Sequence, residues 1–308
     1  CQLYGKERAS GQALFSLPFF DKLSVLTEQA RQVNSQGFVP KPKVGQGIEN
    51  DAATIISVGK IPAINRAVFD FNATLTFEEF CALVDILSHS ELNPDSLNGF
   101  VFEQPTRASE GINGLIKALV YLRQSGLAIR IAADEVALTQ SDCLALAKQD
   151  IILNLKIQKV GGNVAAHRIE RGIELAIGQM PVSFVGGTFP TALGRAYDQH
   201  CAASLKSATL PGDGWLPSTN WFSGDKHLIE EDFLLDQPGV STPFTKPGLG
   251  VTPNWEKIEN WRLNDPREAF RRLRQGEPSE IRFELSGDMS YGKLYEKLNN
   301  GRLVDWNI

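Results

Sequence analysis

Arg66-Ala-Val-Phe-Asp-Phe-Asn72 is a short apolar run that closes on an acidic residue. The same device recurs in Gly99-Phe-Val-Phe-Glu-Gln-Pro105, Leu127-Ala-Ile-Arg-Ile-Ala-Ala-Asp-Glu135 and Asp150-Ile-Ile-Leu-Asn-Leu-Lys156. Runs of this length and composition read as parallel strands buried on both faces. Each delivers a charge at its C-terminal end: Asp70, Glu103, Asp134 and Lys156. The steps between these charges are 33 (70 to 103), 31 (103 to 134) and 22 residues (134 to 156), near the roughly 30 residues of a βαβ unit. In a (β/α)8 barrel the C-terminal strand ends converge on one mouth, where active sites lie. The four charged residues are therefore expected side by side.

Outward from these runs the alternation continues. Helical periodicity covers Asp21 to Gln36, with Asp21 as N-cap and Gly37 as stop, then a segment near Asp51 to Val58, and Thr76 to His89 with Thr76 as cap. Further helices are expected over 111–124, 139–148, 163–179 and 191–206. A seventh strand reads over 180–185 and a short eighth near 207–210. The first 20 residues read as the end of a helix followed by the first strand, in Ala13-Leu-Phe-Ser-Leu-Pro-Phe-Phe20. This is α/β, a TIM-type (β/α)7β-like barrel spanning residues 21–235. Residues 236–264 form a return segment. Residues 265–308 form a C-terminal extension with helix candidates at Arg267 to Arg274 and Tyr291 to Leu298.

The second strand, Phe38-Val-Pro-Lys-Pro-Lys-Val44, carries Lys41 and Lys43. Residues two apart on a strand share a face, which aims both ammonium groups into one cavity. The competing reading is a solvated Pro/Lys turn, because the two prolines remove two ladder donors.

With 308 residues the chain can bury one large core, and its 42% hydrophobic and 22% charged fractions are those of an ordinary globular enzyme. A formal charge of −5 with no long basic run argues against a nucleic-acid surface. Small molecules are the expected partners, and homo-oligomerisation is left open. No apolar stretch of about 18 residues or more marks a membrane span, and no signal peptide is recognisable. Cys1, Cys81, Cys143 and Cys201 lack CxxC spacing, so neither a disulfide framework nor a zinc site is expected. The default compartment is a reducing cytoplasm. A first residue of Cys instead of Met reads as a fragment or a processed chain, with a lipoprotein cysteine as the alternative.

The order Lys41-x-Lys43, Asp70-x-Asn72, Glu103-x-Pro105, Ala133-Asp-Glu135 and Asn154-Leu-Lys-Ile-Gln-Lys-Val-Gly-Gly162 resembles the enolase superfamily. Within it, the likeness is to the muconate-lactonizing-enzyme subgroup, with its dipeptide epimerases, N-succinylamino acid racemases and o-succinylbenzoate synthases. Gly186-Gly187 and Pro247-Gly-Leu-Gly-Val251 fit as well. The likeness covers roughly residues 1–260, and the resemblance leads one to expect a chain without the family's N-terminal capping domain, either as a fragment or for want of that lid. Pro190 stands where many relatives carry a glutamate.

The resemblance implies an enzyme that removes the proton α to a carboxylate, with Asp70, Glu103 and Asp134 as ligands of Mg2+, or Mn2+ in its place. A hard divalent ion takes oxygen ligands and stabilises the two charges of an ene-diolate. Lys43 and Lys156 would be the acid/base groups. Lys41 would lower the pKa of Lys43 or meet the substrate carboxylate. Lys159 is a rival to Lys156. Asn72 and Glu135 would support the ligands from behind, and Asp213, with Asp225, could touch substrate, although a turn aspartate is the plainer reading. His89, His167, His200 and His227 read as structural or exposed, which argues against a histidine-base enzyme. The leading expectation is a racemase or epimerase of an amino-acid derivative or dipeptide. The alternatives are an o-succinylbenzoate synthase-like dehydratase or cycloisomerase, and a catalytically silent barrel.

Overall fold

The computed structural model describes residues 5, 7–20, 22–188, 190–216, 228–233 and 235–260. In chain order the elements are β1 (Gly11–Gln12), β2 (Leu14–Leu17), α1 (Leu23–Ser35), β3 (Val39–Pro42), α2 (Ile48–Gly59), β4 (Ala67–Asp70), α3 (Phe77–Ser88), β5 (Phe100–Glu103) and α4 (Gly111–Gln124). They continue with β6 (Arg130–Ala133), α5 (Gln140–Ala147), β7 (Ile152–Asn154), α6 (Ile157–Val160), α7 (Asn163–Ile177), β8 (Ser183–Phe184), α8 (Ala192–Ser204), β9 (Leu235–Gln237), β10 (Val240–Ser241) and α9 (Trp255–Asn260).

Strands β4 to β8 form a five-stranded parallel sheet in sequence order, and β2 pairs in parallel with β3. Backbone bonds join these pieces into a ring. Val44 N donates to Asp70 O at 3.0 Å beside a Lys43–Asp70 bridge. On the other side Ser183 N donates to Ser207 O at 2.9 Å, and Leu14 N to Gly212 O at 3.3 Å. The expected eighth strand is thus a stave held by a few bonds on each side, with Leu210 N donating to Ser183 O and Gly212 N to Gln12 O, each at 3.3 Å, and by one bridge between Ala13 and Gly212. Thr209 N turns back to Ser207 O at 2.7 Å, and Pro211 has no N–H to give, so no ladder forms there.

The two prolines of β3 are compatible with an interior strand because of where their missing donors would point. Val39 N donates to Ala13 O at 3.1 Å and Lys43 N to Leu17 O at 2.9 Å. The odd-numbered residues therefore face β2, and Pro40 and Pro42 face β4. That is the side on which the ladder shrinks to a single bridge.

Inside the ring lies an apolar layer of Leu14, Val39, Val68, Ala132, Ile152 and Phe184, with Val101, Val182 and Leu210 packed against it. Every stave contributes, as expected of a barrel filled by side chains. A larger core fills the space between the sheet and the surrounding helices. Two helices begin on capping boxes, Thr76 with Glu79 and Thr139 with Asp142, where each cap satisfies two orphan amides.

The helix end expected at the start of the chain falls partly on residues 1–4 and 6, outside the described residues; from Glu7 to Lys22 no helix is found among the described residues, and the Glu7 and Arg8 amides donate to Ala203 O at 2.9 and 3.0 Å. The return segment is partly a sheet, in which β10 pairs with both β1 and β9. Its loop packs on α8, where His200 hydrogen-bonds to Leu249 O at 3.0 Å. Cys1, the Asp21 cap, Asp225, His227 and the helix candidates beyond 265 lie outside the described residues. Among those described, no helix is long and apolar enough to cross a membrane.

Candidate active site

Strand alternation builds the mouth directly on the apolar layer. Two residues beyond Val39, Val68, Val101, Ala132 and Ile152, on the same face of each strand, stand Lys41, Asp70, Glu103, Asp134 and Asn154. None of the five is more than 3% exposed. Two residues further on come Lys43, Asn72 and Lys156.

The charges close into two clusters. Lys41 Nζ lies 2.9 Å from both Glu103 Oε2 and Asp213 Oδ2, and 3.3 Å from Asp70 Oδ2. Lys43 Nζ donates to Asp70 Oδ2 at 2.6 Å and to Asn72 Oδ1 at 2.7 Å. Asn154 Nδ2 donates to Glu103 Oε1 at 2.6 Å. In the second cluster Lys156 Nζ donates to Asp134 Oδ2 at 2.5 Å, while Lys159 Nζ takes the other carboxylate oxygen and the Asp134 carbonyl. Glu135 forms no ion pair with a lysine among the described residues, and its Oε2 has no hydrogen-bond partner. Asp213 is brought in as the third carboxylate around Lys41.

The electrostatics follow from burial against pairing. Burial pushes Asp70 up, but Lys43 and Lys41 outweigh it and hold the carboxyl well below the usual range. Asp134 is held down in the same way by Lys156 and Lys159. Glu103 goes the other way, to about 7, because burial and the Asp70 charge together outweigh a Lys41 shared with two other carboxylates. Two of the lysines are held up by the carboxylates around them. Burial lowers Lys41 and Lys156, yet Asp213, Glu103 and Asp70 raise the first and Asp134 and Glu103 raise the second above the ordinary lysine value. Opposite charges stand closer than like ones, so both residues are held as ammonium groups.

Several participants were not singled out from the sequence. Asn154 could have been, since it sits two residues before Lys156 on one face. Gln104 takes a left-handed φ of 40° at the end of β5 and accepts from Asp134 N at 3.0 Å. Gly186 explains half of the Gly-Gly pair, because a Cβ there would lie 2.2 Å from Asn154 Oδ1. His89 and His167 bond to Asp85 O and to Ser204, away from the lysine layer.

Three carboxylates on adjacent staves are the anionic all-oxygen donor set of a hard divalent cation. Asn154 Oδ1 is buried without a hydrogen-bond partner, and Glu103 Oε2 is buried with the Lys41 ammonium at 2.9 Å as its counter-charge. The donor chemistry therefore fits Mg2+. The side chains are closed onto ammonium groups, however, and among the described residues no three acidic side chains are gathered as metal ligands.

Comparison with known proteins agrees with this architecture. Residues 25–257 match the family described as enolase C-terminal domain-like. A protein from Enterococcus faecalis V583 described as an unknown member of the enolase superfamily superposes with a TM-score of 0.68 at 24% identity, over 84% of this chain and 64% of its own. Muconate cycloisomerase from Pseudomonas fluorescens gives 0.68 at 19% identity, over 85% and 68%. A dipeptide epimerase from Enterococcus faecalis V583, complexed with Mg and the dipeptide L-Leu-L-Tyr, gives 0.65 at 23% identity, over 82% and 66%. This chain thus spans about two thirds of the length of these structures, and the likeness to them is one of fold. No curated protein sequence matches it.

Proposed function

The chain belongs to the enolase C-terminal domain-like family of the enolase superfamily, and on that premise we propose that it removes the proton α to a substrate carboxylate, using Lys43 and Lys156. The observation that carries this reading is where the two ammonium groups stand. Lys43 follows β3 and Lys156 follows β7, with β4, β5 and β6 between them in an eight-stave ring. They flank the mouth from opposite sides.

A pair on opposite faces suits removal of a proton from one face of a carbon and its delivery to the other, which is racemisation or epimerisation. The substrate class we favour is an amino-acid derivative or dipeptide. Asp70, Glu103 and Asp134 would hold Mg2+, or Mn2+, which when bound stabilises the ene-diolate charge as a Lewis acid. Asn72 and Asp70 fix the Lys43 ammonium at hydrogen-bond distance. Lys41, seated on Asp213, keeps a positive charge at the floor of the mouth, where it can meet a substrate carboxylate.

A second reading is a dehydratase or cycloisomerase on the same scaffold. The fixing of Lys156 on Asp134 favours it, since a lysine held as ammonium steadies an enolate by charge and need not take a proton.

Solvent-deuterium exchange tests the proposal, with Mg2+ present, across dipeptides and N-acylamino acids, on the wild type and on Lys156→Ala. Deuterium at the α carbon that is lost in the variant supports it. No exchange with any member of the set overturns it. Product absorbance separates the two readings, because dehydration or ring closure changes it and epimerisation does not.

A further inference from the structure

Helix α8 carries polar side chains where a helix packed on a barrel would ordinarily bury apolar ones. Ten of its thirteen residues are buried, Arg195, Asp198, Gln199 and His200 among them. Arg195 is 7% exposed and Asp198 is fully buried. A buried arginine and aspartate are retained against a desolvation cost of several kcal/mol per ion, so what they hold matters.

Each reaches a different side of the mouth. Arg195 Nη1 donates to the Asp213 carbonyl and stands 3.5 Å from Asp198 Oδ2. Asp198 Oδ1 accepts from Gln158 Nε2 at 3.0 Å. Gln158 lies two residues past Lys156, in the single turn of α6 that Lys156 opens. One helical turn of α8 therefore links the segment carrying Lys156 to the segment carrying Asp213, on which Lys41 is seated. Tyr197 reinforces the first link, its hydroxyl accepting from Asn163 N at 2.9 Å just beyond α6. Gly187 makes room for the clamp, since a Cβ there would lie 3.0 Å from Arg195 Nη1 and 3.1 Å from Nη2.

We propose that Arg195 and Asp198 are positioning residues: a buried clamp that sets the separation between the Lys156 turn and the Asp213–Lys41 seat across the mouth. Neither group touches the reacting atoms. They act through Gln158 on one side and the Asp213 carbonyl on the other. The inference rests on the proposed proton transfer for its kinetic consequence but not for its structural one.

Arg195→Met/Asp198→Leu is the informative variant. Replacing a buried ion pair by apolar residues of similar size is commonly neutral for stability, so the fold is kept while both links are cut. Amide hydrogen exchange by mass spectrometry on the full chain is expected to show about tenfold faster exchange over 157–163 and 212–216, with 67–70 and 100–103 unchanged. With a substrate that the wild type deuterates, kcat should fall by about ten- to a hundredfold, the scale of a small misplacement, with KM changed much less. Asp198→Asn, which keeps an acceptor for Gln158, should restore protection over 157–163. Wild-type protection in both segments of the double variant overturns the clamp, as does wild-type kcat. If the wild type deuterates nothing, the proposed function fails, and amide exchange alone decides the clamp.

Discussion

Lys41 and Asp213, 172 residues apart in the chain, meet at 2.9 Å in the floor of the barrel mouth. The bond ties the second stave to the loop after the eighth and so crosses a seam of the ring where two hydrogen bonds and one bridge replace a continuous ladder. Lys41 also neutralises Glu103 and Asp70. Its removal leaves three buried carboxylates facing one another.

Lys41→Met is therefore expected to cost about 3–5 kcal/mol in urea unfolding, the range for breaking a buried pair from one side. Asp213→Asn should cost less, because Lys41 keeps two carboxylate partners. A loss for Asp213→Asn as large as that for Lys41→Met would show that the ammonium is not shared in this way.

The barrel and its charged layer were legible because period-two alternation fixes both. Once Val68, Val101, Ala132 and Ile152 are read as inward, Asp70, Glu103, Asp134 and Asn154 must be inward too. Lys41 and Lys43 were readable for the same reason, although the prolines between them pointed toward a turn. Which edge a missing N–H faces depends on strand order, and strand order is a tertiary fact. Arg195 and Asp198 were not legible. In a helix that flanks a barrel, a polar residue reads as solvent-facing unless the neighbour that buries it is known, and here that neighbour is a glycine and a backbone carbonyl.

Gly186→Ala tests the fit between the seventh and sixth staves. The new Cβ would stand 2.2 Å from Asn154 Oδ1, so the amide must leave Glu103 Oε1 or the strand must shift. Overpacking of this kind costs about 1–3 kcal/mol. The variant should melt lower than wild type, and combining it with Asn154→Ala should recover part of the loss. No recovery in the double variant would place the strain elsewhere.

Asp198 gives stability a pH dependence whose sign can be worked out. Burial pushes its carboxyl up to about 7 against the pull of Arg195 and the Gln158 hydrogen bond, with Asp213 adding to the rise. The unfolded aspartate titrates near 3.9. Between about pH 4 and 7 the folded chain holds a proton that the unfolded chain has released, so this contribution to stability falls as pH rises through that window and is level above it. Asp198→Asn removes the dependence. Relative to wild type, the variant should gain up to about 4 kcal/mol between pH 4 and pH 7.5, read from denaturant curves at each pH. A difference that stays constant across the window would mean that Asp198 is ionised throughout.

Cation binding is expected to compete with the lysines for the carboxylates. Both oxygens of Asp134 are held, one by Lys156 and one by Lys159, so a divalent ion can use this carboxylate only by displacing an ammonium group. Lys159→Met frees one oxygen and removes a positive charge while leaving Lys156 in place. Its Mg2+ affinity should rise several-fold over wild type, and Glu103→Gln should weaken binding because it removes an anionic oxygen donor from the cluster. Thermal shift against Mg2+ concentration reads both effects. A ligand that binds only the folded state adds about 2.7 kcal/mol at a hundred times its Kd, so the midpoint of the stabilisation curve moves with affinity. The wild type should show saturable stabilisation by Mg2+ at constant ionic strength, with Ca2+ as the size control. Equal midpoints for Lys159→Met and wild type would mean that Asp134 does not join the ion, leaving Asp70 and Glu103 to hold it beside Lys41.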